Sequence, residues 1–335
     1  MTAIGFRIRR SWRRRTGAAG VPRREIIRVA PASLRVAVQG AGQPLLLLAG
    51  LGGGLDMWGP FQRHLAGFEV ISFDPPGTGG SGPVLFPLGM AEMARLAAGV
   101  VEVLGREPVD VLGYSWGGAL AQEFAHRFPH LVRRLVLCSS TCGLGGVPGS
   151  LEALAALVNP WRPSSPAYLE HVASRLFGGV AGREPGRFLG ADEPARSPQA
   201  PNPVGYAAQL YAIASWTSLP WLHRLGPPTL VVAGDDDPVV PLANARLLAN
   251  RIPDCRLHVV AGGGHLILLD QPEVVAPVVR EFLLDRDTLA APRRRPGRGR
   301  AGGGRRQNGR HCRLFGSGGA ARTGGKDLPE VGHVS

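Results

Sequence analysis

Cysteine is scarce in this chain of 335 residues, and its four cysteines show no metal-binding spacing. Cys138 and Cys142 lie four residues apart without a second pair, and Cys255 and Cys312 are isolated. A structural zinc site needs two pairs of ligands at short spacing. We therefore expect no metal site, and we expect reduced thiols in a cytoplasmic protein.

Long hydrophobic runs are missing as well. The apolar stretch from Pro44 to Leu51 has the length of a β-strand, whereas a membrane-spanning helix needs about 20 apolar residues. Arg13, Arg14 and Arg15 faintly resemble a twin-arginine export signal, but no apolar segment follows them. We therefore predict neither a transmembrane segment nor an export signal.

Acidic residues are rare at both ends of the chain, where arginine accumulates. Residues 1–24 contain eight arginines and no acidic residue, and residues 288–335 contain eleven basic residues against Asp327 and Glu330. These ends account for the net charge of +13, so the body between them is mildly acidic. Because the C-terminal end is rich in arginine and glycine with Phe315 as its one aromatic residue, we predict flexible extensions and no specific nucleic-acid partner.

Short apolar segments alternate with helical patterns over residues 25–142 and 227–287. The strand patterns lie at 44–49, 68–73, 109–112, 131–138, 228–234 and 256–260. Residues 25–39 alternate between apolar and polar side chains, as an antiparallel strand or hairpin does. The alternation predicts an α/β core with a doubly wound, mostly parallel sheet, which binds ligands beyond the carboxyl ends of its strands.

The pentapeptide Gly113-Tyr114-Ser115-Trp116-Gly117 stands between a strand pattern and a helical pattern. In that context G-x-S-x-G indicates the nucleophile elbow of an α/β hydrolase, a strained turn that exposes the serine. The two glycines leave the space that the turn needs, and the N-terminus of the following helix faces the place where an oxyanion would form. We predict Ser115 as the nucleophile.

A catalytic serine needs a base and a group that orients the base, and α/β hydrolases carry them in the order serine, acid, histidine. The strand pattern at 228–234 ends at Asp235, Asp236 and Asp237, and we predict Asp237 as the acid because Pro238 ends the turn. Asp235 and Asp236 fit turn or capping roles better, although the sequence leaves Asp236 open. His265 follows the last strand and three glycines, and we predict it as the base.

The oxyanion hole requires two backbone N–H donors. We predict the N–H of Trp116, which follows the nucleophile, and the N–H of Leu51 in the glycine-rich loop after the strand at 44–49. This loop lacks the lysine and hydroxyl of a P-loop, and no acidic residue completes a dinucleotide fingerprint. We therefore expect no nucleotide and no other cofactor.

The regular alternation stops at about residue 143 and resumes at about 227. The segment 143–226 is rich in proline and aromatic residues and has helical patterns at Leu151–Leu157, Ala167–Leu176 and Val204–Ser218. We predict a helical cap over the catalytic serine. An apolar cap favours a hydrophobic ester or polyester over a sugar or a charged ligand.

Three segments resemble intracellular depolymerases of medium-chain-length poly(3-hydroxyalkanoates). They read VDVLGYSWGGALAQEFAHRFPHLVRRLVL, SWTSLPWLHRLGPPTLVVAGDDDPVVPLANARLLANRIP and LHVVAGGGHLILLDQPE. The resemblance covers roughly residues 30–285 and implies the α/β-hydrolase fold, with the family's triad at Ser115, Asp237 and His265. It also implies hydrolysis of stored polyester to 3-hydroxy acids in the cytoplasm, at the surface of polymer granules.

Other functions remain open at this level. A small-molecule carboxylesterase or a carbon–carbon bond hydrolase would use the same triad and differ in the cap. A non-catalytic ligand-binding or granule-binding protein is a more distant alternative, because such proteins usually lose a member of the triad. The oligomeric state does not follow from the sequence.

Overall fold

The computed structural model describes residues 22–83, 86–159, 166–186 and 203–285. Eight strands form one sheet: β1 Arg23–Val29, β2 Ala32–Gly40, β3 Gln43–Leu48, β4 Phe68–Phe73, β5 Val109–Tyr114, β6 Val132–Cys138, β7 Thr229–Gly234 and β8 Cys255–Val260. Their order is β1-β2-β4-β3-β5-β6-β7-β8. β2 pairs antiparallel with both of its neighbours, β1 and β4, and every later pair in the order is parallel. The predicted fold class is confirmed.

Ten α-helices accompany the strands in the described residues: α1 Gly59–Gln62, α2 Met90–Leu104, α3 Trp116–Arg127, α4 Leu151–Val158, α5 Pro166–Phe177, α6 Gly179–Arg183, α7 Pro203–Ala214, α8 Leu242–Arg251, α9 Ile267–Asp270 and α10 Pro272–Leu284. The two predicted basic extensions lie outside these residues, except that β1 begins at Arg23, two residues before the predicted start of the core. None of the described helices combines the length and apolar character needed to cross a membrane.

The core has two layers, one on each face of the sheet. Alternate residues of β3 point to opposite faces, so that Leu46 and Leu48 pack with α2, α3 and α8, while Leu45 and Leu47 pack with α1 and α10. Every residue of β5 and β7 is buried, as expected of central strands covered by helices on both faces. The carboxyl ends of these central strands carry the predicted site residues.

Two helical predictions differ from the structure. The pattern at Trp58–Leu65 forms a short 3-10 turn, Leu55–Trp58, followed by the single turn of α1. The pattern at Val204–Ser218 ends at Ala214, because the residues after it pair with the chain that leaves β6: Thr217 bridges Gly143, and Ser218 donates its N–H to the Cys142 carbonyl. Long-range pairing thus ends this helix early.

Helices α4, α5, α6 and α7 lie between β6 and β7, in the segment predicted as a cap. The base of this segment is bound to α3, where Ser218 donates to Gln122 and the Trp216 indole N–H donates to Glu123. The exact division into a core (25–142 and 227–287) and a cap (143–226) stays a prediction.

Candidate active site

Ser115 lies at the sharp turn between β5 and α3. Its backbone has φ 53° and ψ −117°, in the left-handed half of conformational space that residues other than glycine rarely occupy. A Cβ on Gly117 would lie 2.0 Å from the Leu48 carbonyl oxygen, and one on Gly113 would lie 2.3 Å from the Gly117 carbonyl oxygen. Both flanking glycines are therefore needed for the close approach of helix and strand.

The structure brings Ser115, His265 and Asp237 into one hydrogen-bonded chain. His265 Nε2 lies 2.9 Å from Ser115 Oγ, and His265 Nδ1 lies 2.8 Å from Asp237 Oδ2. Because an ionised carboxylate only accepts, Nδ1 carries the proton and Nε2 is free to accept from the serine hydroxyl. The backbone N–H groups of Val239 and Val240 donate to Asp237 Oδ1, so both carboxylate oxygens are held in place.

The neighbouring aspartates have other partners. Asp235 accepts the Gly262 N–H, and Asp236 accepts the Gly179 N–H at the start of α6. The Asp236 side chain is 56% exposed, whereas that of Asp237 is fully buried beside His265. Asp237 and not Asp236 reaches the imidazole, so the geometry favours Asp237 as the acid, and its catalytic role stays a prediction.

Two contacts that the sequence does not reveal hold the backbone of His265. The Tyr114 hydroxyl donates to the His265 carbonyl oxygen at 2.9 Å. The His265 N–H donates to the Phe177 carbonyl oxygen at the end of α5, at 2.6 Å. The motif contains Tyr114, but nothing in the local pattern indicates its partner 151 residues away.

The two predicted oxyanion donors belong to the two segments that adjoin Ser115, the loop after β3 and the first turn of α3. The loop after β3 packs on the serine, because a Cβ on Gly50 would lie 3.5 Å from Ser115 Cβ. Leu51 follows within this loop, and no described residue accepts a hydrogen bond from its N–H. The Trp116 N–H belongs to the first turn of α3, where helix geometry supplies no acceptor.

Asp74, which the sequence analysis did not single out, holds the loops that surround these donors. Its buried carboxylate accepts the Leu55 N–H from the loop after β3 and the Gly80 N–H from the loop after β4. The Arg35 guanidinium pairs with the same carboxylate at 2.6 Å. The sequence signal that could have identified Asp74 is its place between a strand pattern and a turn rich in glycine and proline.

Gln209 of α7 was also missed. It is fully buried, its side-chain oxygen accepts the Gly52 N–H at 2.8 Å, and its amide nitrogen donates to Thr78 Oγ1 at 2.8 Å. Its own carbonyl oxygen accepts the Trp116 indole N–H at 2.9 Å. A lone amide in the otherwise apolar helical pattern of residues 204–214 was the signal that could have found it.

The mostly parallel sheet and the strained turn at Ser115 are the features that define α/β hydrolases. The family model described as alpha/beta hydrolase fold matches residues 43–272, and the chain belongs to that family. The predicted assignment as a hydrolase is confirmed.

Individual relatives narrow the comparison. A poly(3-hydroxyalkanoate) depolymerase of Ectopseudomonas oleovorans is 40% identical over 257 residues, which are 76% of this chain and 89% of the relative, so the predicted resemblance is confirmed. A 2-hydroxy-6-oxo-2,4-heptadienoate hydrolase of Pseudomonas putida is 29% identical over 261 residues, which are 74% of this chain and 91% of the relative. The solved structure of a thermophilic esterase from Thermogutta terrifontis has a TM-score of 0.65 at 27% identity, covering 78% of this chain and 98% of that one.

Proposed function

We propose that this chain is a serine ester hydrolase that cleaves medium-chain-length poly(3-hydroxyalkanoate) to 3-hydroxy acids. The observation that carries the proposal is the hydrogen-bonded chain from Ser115 Oγ through His265 to Asp237, with distances of 2.9 Å and 2.8 Å. The 40% identity to a poly(3-hydroxyalkanoate) depolymerase supports the choice of substrate.

Acylation begins when the substrate carbonyl carbon lies next to Ser115 Oγ. His265 Nε2 takes the hydroxyl proton as Oγ attacks, and Asp237 stabilises the imidazolium through the Nδ1 hydrogen bond. The carbonyl oxygen becomes an oxyanion and accepts hydrogen bonds from the Leu51 and Trp116 N–H groups. The tetrahedral intermediate then breaks its ester C–O bond, His265 gives the proton to the leaving alkoxide, and an acyl-enzyme remains.

Deacylation repeats these steps with water as the nucleophile. His265 takes a proton from the water as its oxygen attacks the acyl carbon, and the same two N–H groups bind the second oxyanion. Collapse of this intermediate returns the proton to Ser115 Oγ and releases the carboxylic acid. No metal or cofactor is required for either half of the reaction.

The polymer is a hydrophobic substrate, which we place in granules in the cytoplasm. The described part of the cap exposes several large apolar side chains on its helices, and these suit an apolar ligand: Leu151, Val158, Val204 and Tyr211. The basic extensions are assigned no role in catalysis.

A second candidate, a small-molecule carboxylesterase, is favoured by one observation. The cap is hydrogen-bonded directly to the loops of the site, through Gln209 to Gly52 and through Phe177 to His265. A cap held this closely over the serine suits a small ester, and a polymer would need the cap to move.

The decisive experiment incubates amorphous medium-chain-length poly(3-hydroxyalkanoate) with the purified protein and quantifies released 3-hydroxy acids. Ser115→Ala is the inactive variant, and Ser215→Ala is the matched control, because Ser215 is exposed and its hydroxyl donates to the Tyr211 carbonyl of α7, the helix that ends just before it. Release by the wild type and the Ser215 variant, but not by the Ser115 variant, is the expected result. Cleavage of soluble p-nitrophenyl esters without release from polymer would favour the carboxylesterase, and full activity of Ser115→Ala would refute the mechanism.

A further inference from the structure

Gln209 connects the cap to the loop that contains the predicted donor Leu51. It lies on α7 with 0% exposure, and both polar atoms of its side chain are hydrogen-bonded. Burying an amide without partners would destabilise the fold, whereas a fully paired amide holds its partners in fixed positions. The position of Gln209 therefore fixes the positions of the two partners of its side chain, the Gly52 N–H and the Thr78 hydroxyl.

The first partner of Gln209 is the turn that contains Leu51. Residues Gly50 to Gly53 form a β-turn closed by a 2.9 Å hydrogen bond from the Gly53 N–H to the Gly50 carbonyl. Gly52 has φ +73°, which is typical of the third position of a type II turn. The Gly52 N–H belongs to the central peptide of this turn, and its bond to Gln209 Oε1 holds that peptide in one of the two orientations that distinguish type II from type I.

The second partner of Gln209 is the side chain of Trp116, whose backbone N–H is the other predicted oxyanion donor. The Gln209 carbonyl oxygen accepts the indole N–H of Trp116, so one residue of α7 contacts both the neighbour of Leu51 and the side chain of Trp116. Gly52 fixes the direction of the Gln209 amide. The Gly52 N–H can only donate, so Oε1 must face it, and Nε2 then faces the Thr78 hydroxyl.

We propose that Gln209 is a positioning residue for the oxyanion hole, and that the hole reaches its active geometry when α7 lies on the loop after β3. This inference rests on the proposed function of Ser115 and extends it to the cap. Movement of the cap away from the site would remove the acceptor of the Gly52 N–H and release the turn. Binding of substrate beneath the cap and assembly of the catalytic site would thereby be coupled.

The test replaces Gln209 with methionine, which keeps the volume and the helix propensity but removes both side-chain hydrogen bonds. We expect kcat for a soluble p-nitrophenyl ester to fall about 10- to 100-fold while KM changes less than about 3-fold, because a misplaced donor weakens transition-state binding specifically. Affinity for an alkylboronic acid, whose tetrahedral serine adduct places an oxygen in the hole, should fall in parallel. The pH profile of kcat should keep its midpoint, since His265 and Asp237 are untouched.

Tyr206→Phe is the matched control on the same helix. Tyr206 is buried, and its hydroxyl donates to the Leu157 carbonyl of α4 at 2.7 Å. Removing this hydroxyl therefore breaks a hydrogen bond between two helices of the cap and leaves the bond from Gly52 to Gln209 in place. This variant should keep kcat and boronic acid affinity within about 2-fold of the wild type even if its thermal stability drops as much as that of Gln209→Met. The two variants thus separate positioning from general loosening of the cap.

The outcomes of these measurements decide whether Gln209 positions the oxyanion hole. Unchanged kcat and boronic acid affinity in Gln209→Met would overturn the inference, as would an equal loss of both quantities in Tyr206→Phe. A wild type that cleaves soluble esters but not polymer would refute the polyester proposal and leave this inference standing. A wild type that neither cleaves esters nor binds the boronic acid would refute both.

Discussion

The backbone N–H of His265 donates a 2.6 Å hydrogen bond to the carbonyl oxygen of Phe177, the last residue of α5. The loop that carries the predicted base therefore rests on the cap as well as on the sheet. Gly264 makes this approach possible, because a Cβ there would lie 2.3 Å from the Phe177 carbonyl oxygen and 2.5 Å from the Gly178 carbonyl carbon.

Gly264→Ala should displace the histidine loop, since the added methyl group meets backbone atoms that cannot rotate away. We expect a loss of about 100-fold in kcat, the scale that misplacing a catalytic group by about 1 Å can produce. Gly226→Ala is the control, because its Cβ would meet no atom within 4 Å. Steady-state kinetics on a soluble ester decide the point, and a Gly264 variant with normal kcat would show that the contact has no bearing on His265.

Tyr114→Phe removes the hydroxyl that donates to the His265 carbonyl oxygen. A buried hydrogen bond of this kind contributes about 1 kcal/mol, so the free energy of unfolding should fall by about that amount in chemical denaturation. We expect kcat to fall as well, by less than the Gly264 variant, because the Phe177 contact remains. Tyr211→Phe, at a 56% exposed tyrosine, should change neither quantity. Unaltered stability in Tyr114→Phe would argue against the contact.

Asp237→Asn should lower kcat by about 10⁴-fold, because an amide no longer enforces the histidine tautomer that leaves Nε2 free to accept the serine proton. Asp236→Asn should stay within a few-fold of the wild type, since Asp236 contacts the cap residues Gly179 and Arg183 and not His265. The comparison uses initial rates at matched protein concentration, with folding checked by circular dichroism. The reverse ranking would assign the acid to Asp236.

Asp270 of α9 should make stability depend on pH. Its Oδ2 accepts the Ala181 N–H, its Oδ1 has no hydrogen-bond partner among the described residues, and burial raises its pKa. Glu273 raises the pKa further, while the Ala181 contact and Arg183 lower it. Because the folded-state pKa lies above the unfolded one, the protonated form favours folding, and this contribution is lost as the pH rises through the folded-state pKa.

Asp270→Asn keeps an acceptor for Ala181 without the buried charge. We expect this variant to unfold at a higher denaturant concentration than the wild type at pH 8, with the difference shrinking toward pH 4. Glu273→Gln, at an exposed position of α10, should show a much smaller dependence. A difference in stability that grows as the pH falls would contradict the raised pKa of Asp270.

Much of the fold could be predicted from the sequence, because apolar runs and the spacing of glycines indicate strands and turns locally. The apolar runs at 68–73 and 228–234 become β4 and β7, and the turn around Ser115 is encoded by Gly113 and Gly117 within five residues. The pattern at Val204–Ser218 predicts too long a helix, since its end is set by pairing of Thr217 with Gly143. Periodicity reports which side chains are buried, but it does not report which distant segment they pair with.

The same distinction holds for the site. The sequence by itself determined the serine elbow, the order of serine, aspartate and histidine, and the glycine-rich loop after β3. Tertiary structure decided that Asp237 faces the imidazole, that Phe177 holds the histidine loop, and that Gln209 reaches Gly52 across 157 residues of chain. These relationships depend on hydrogen-bond direction between segments brought together only by folding, and hydrogen bonds are too short-ranged and directional to be read from spacing along the chain.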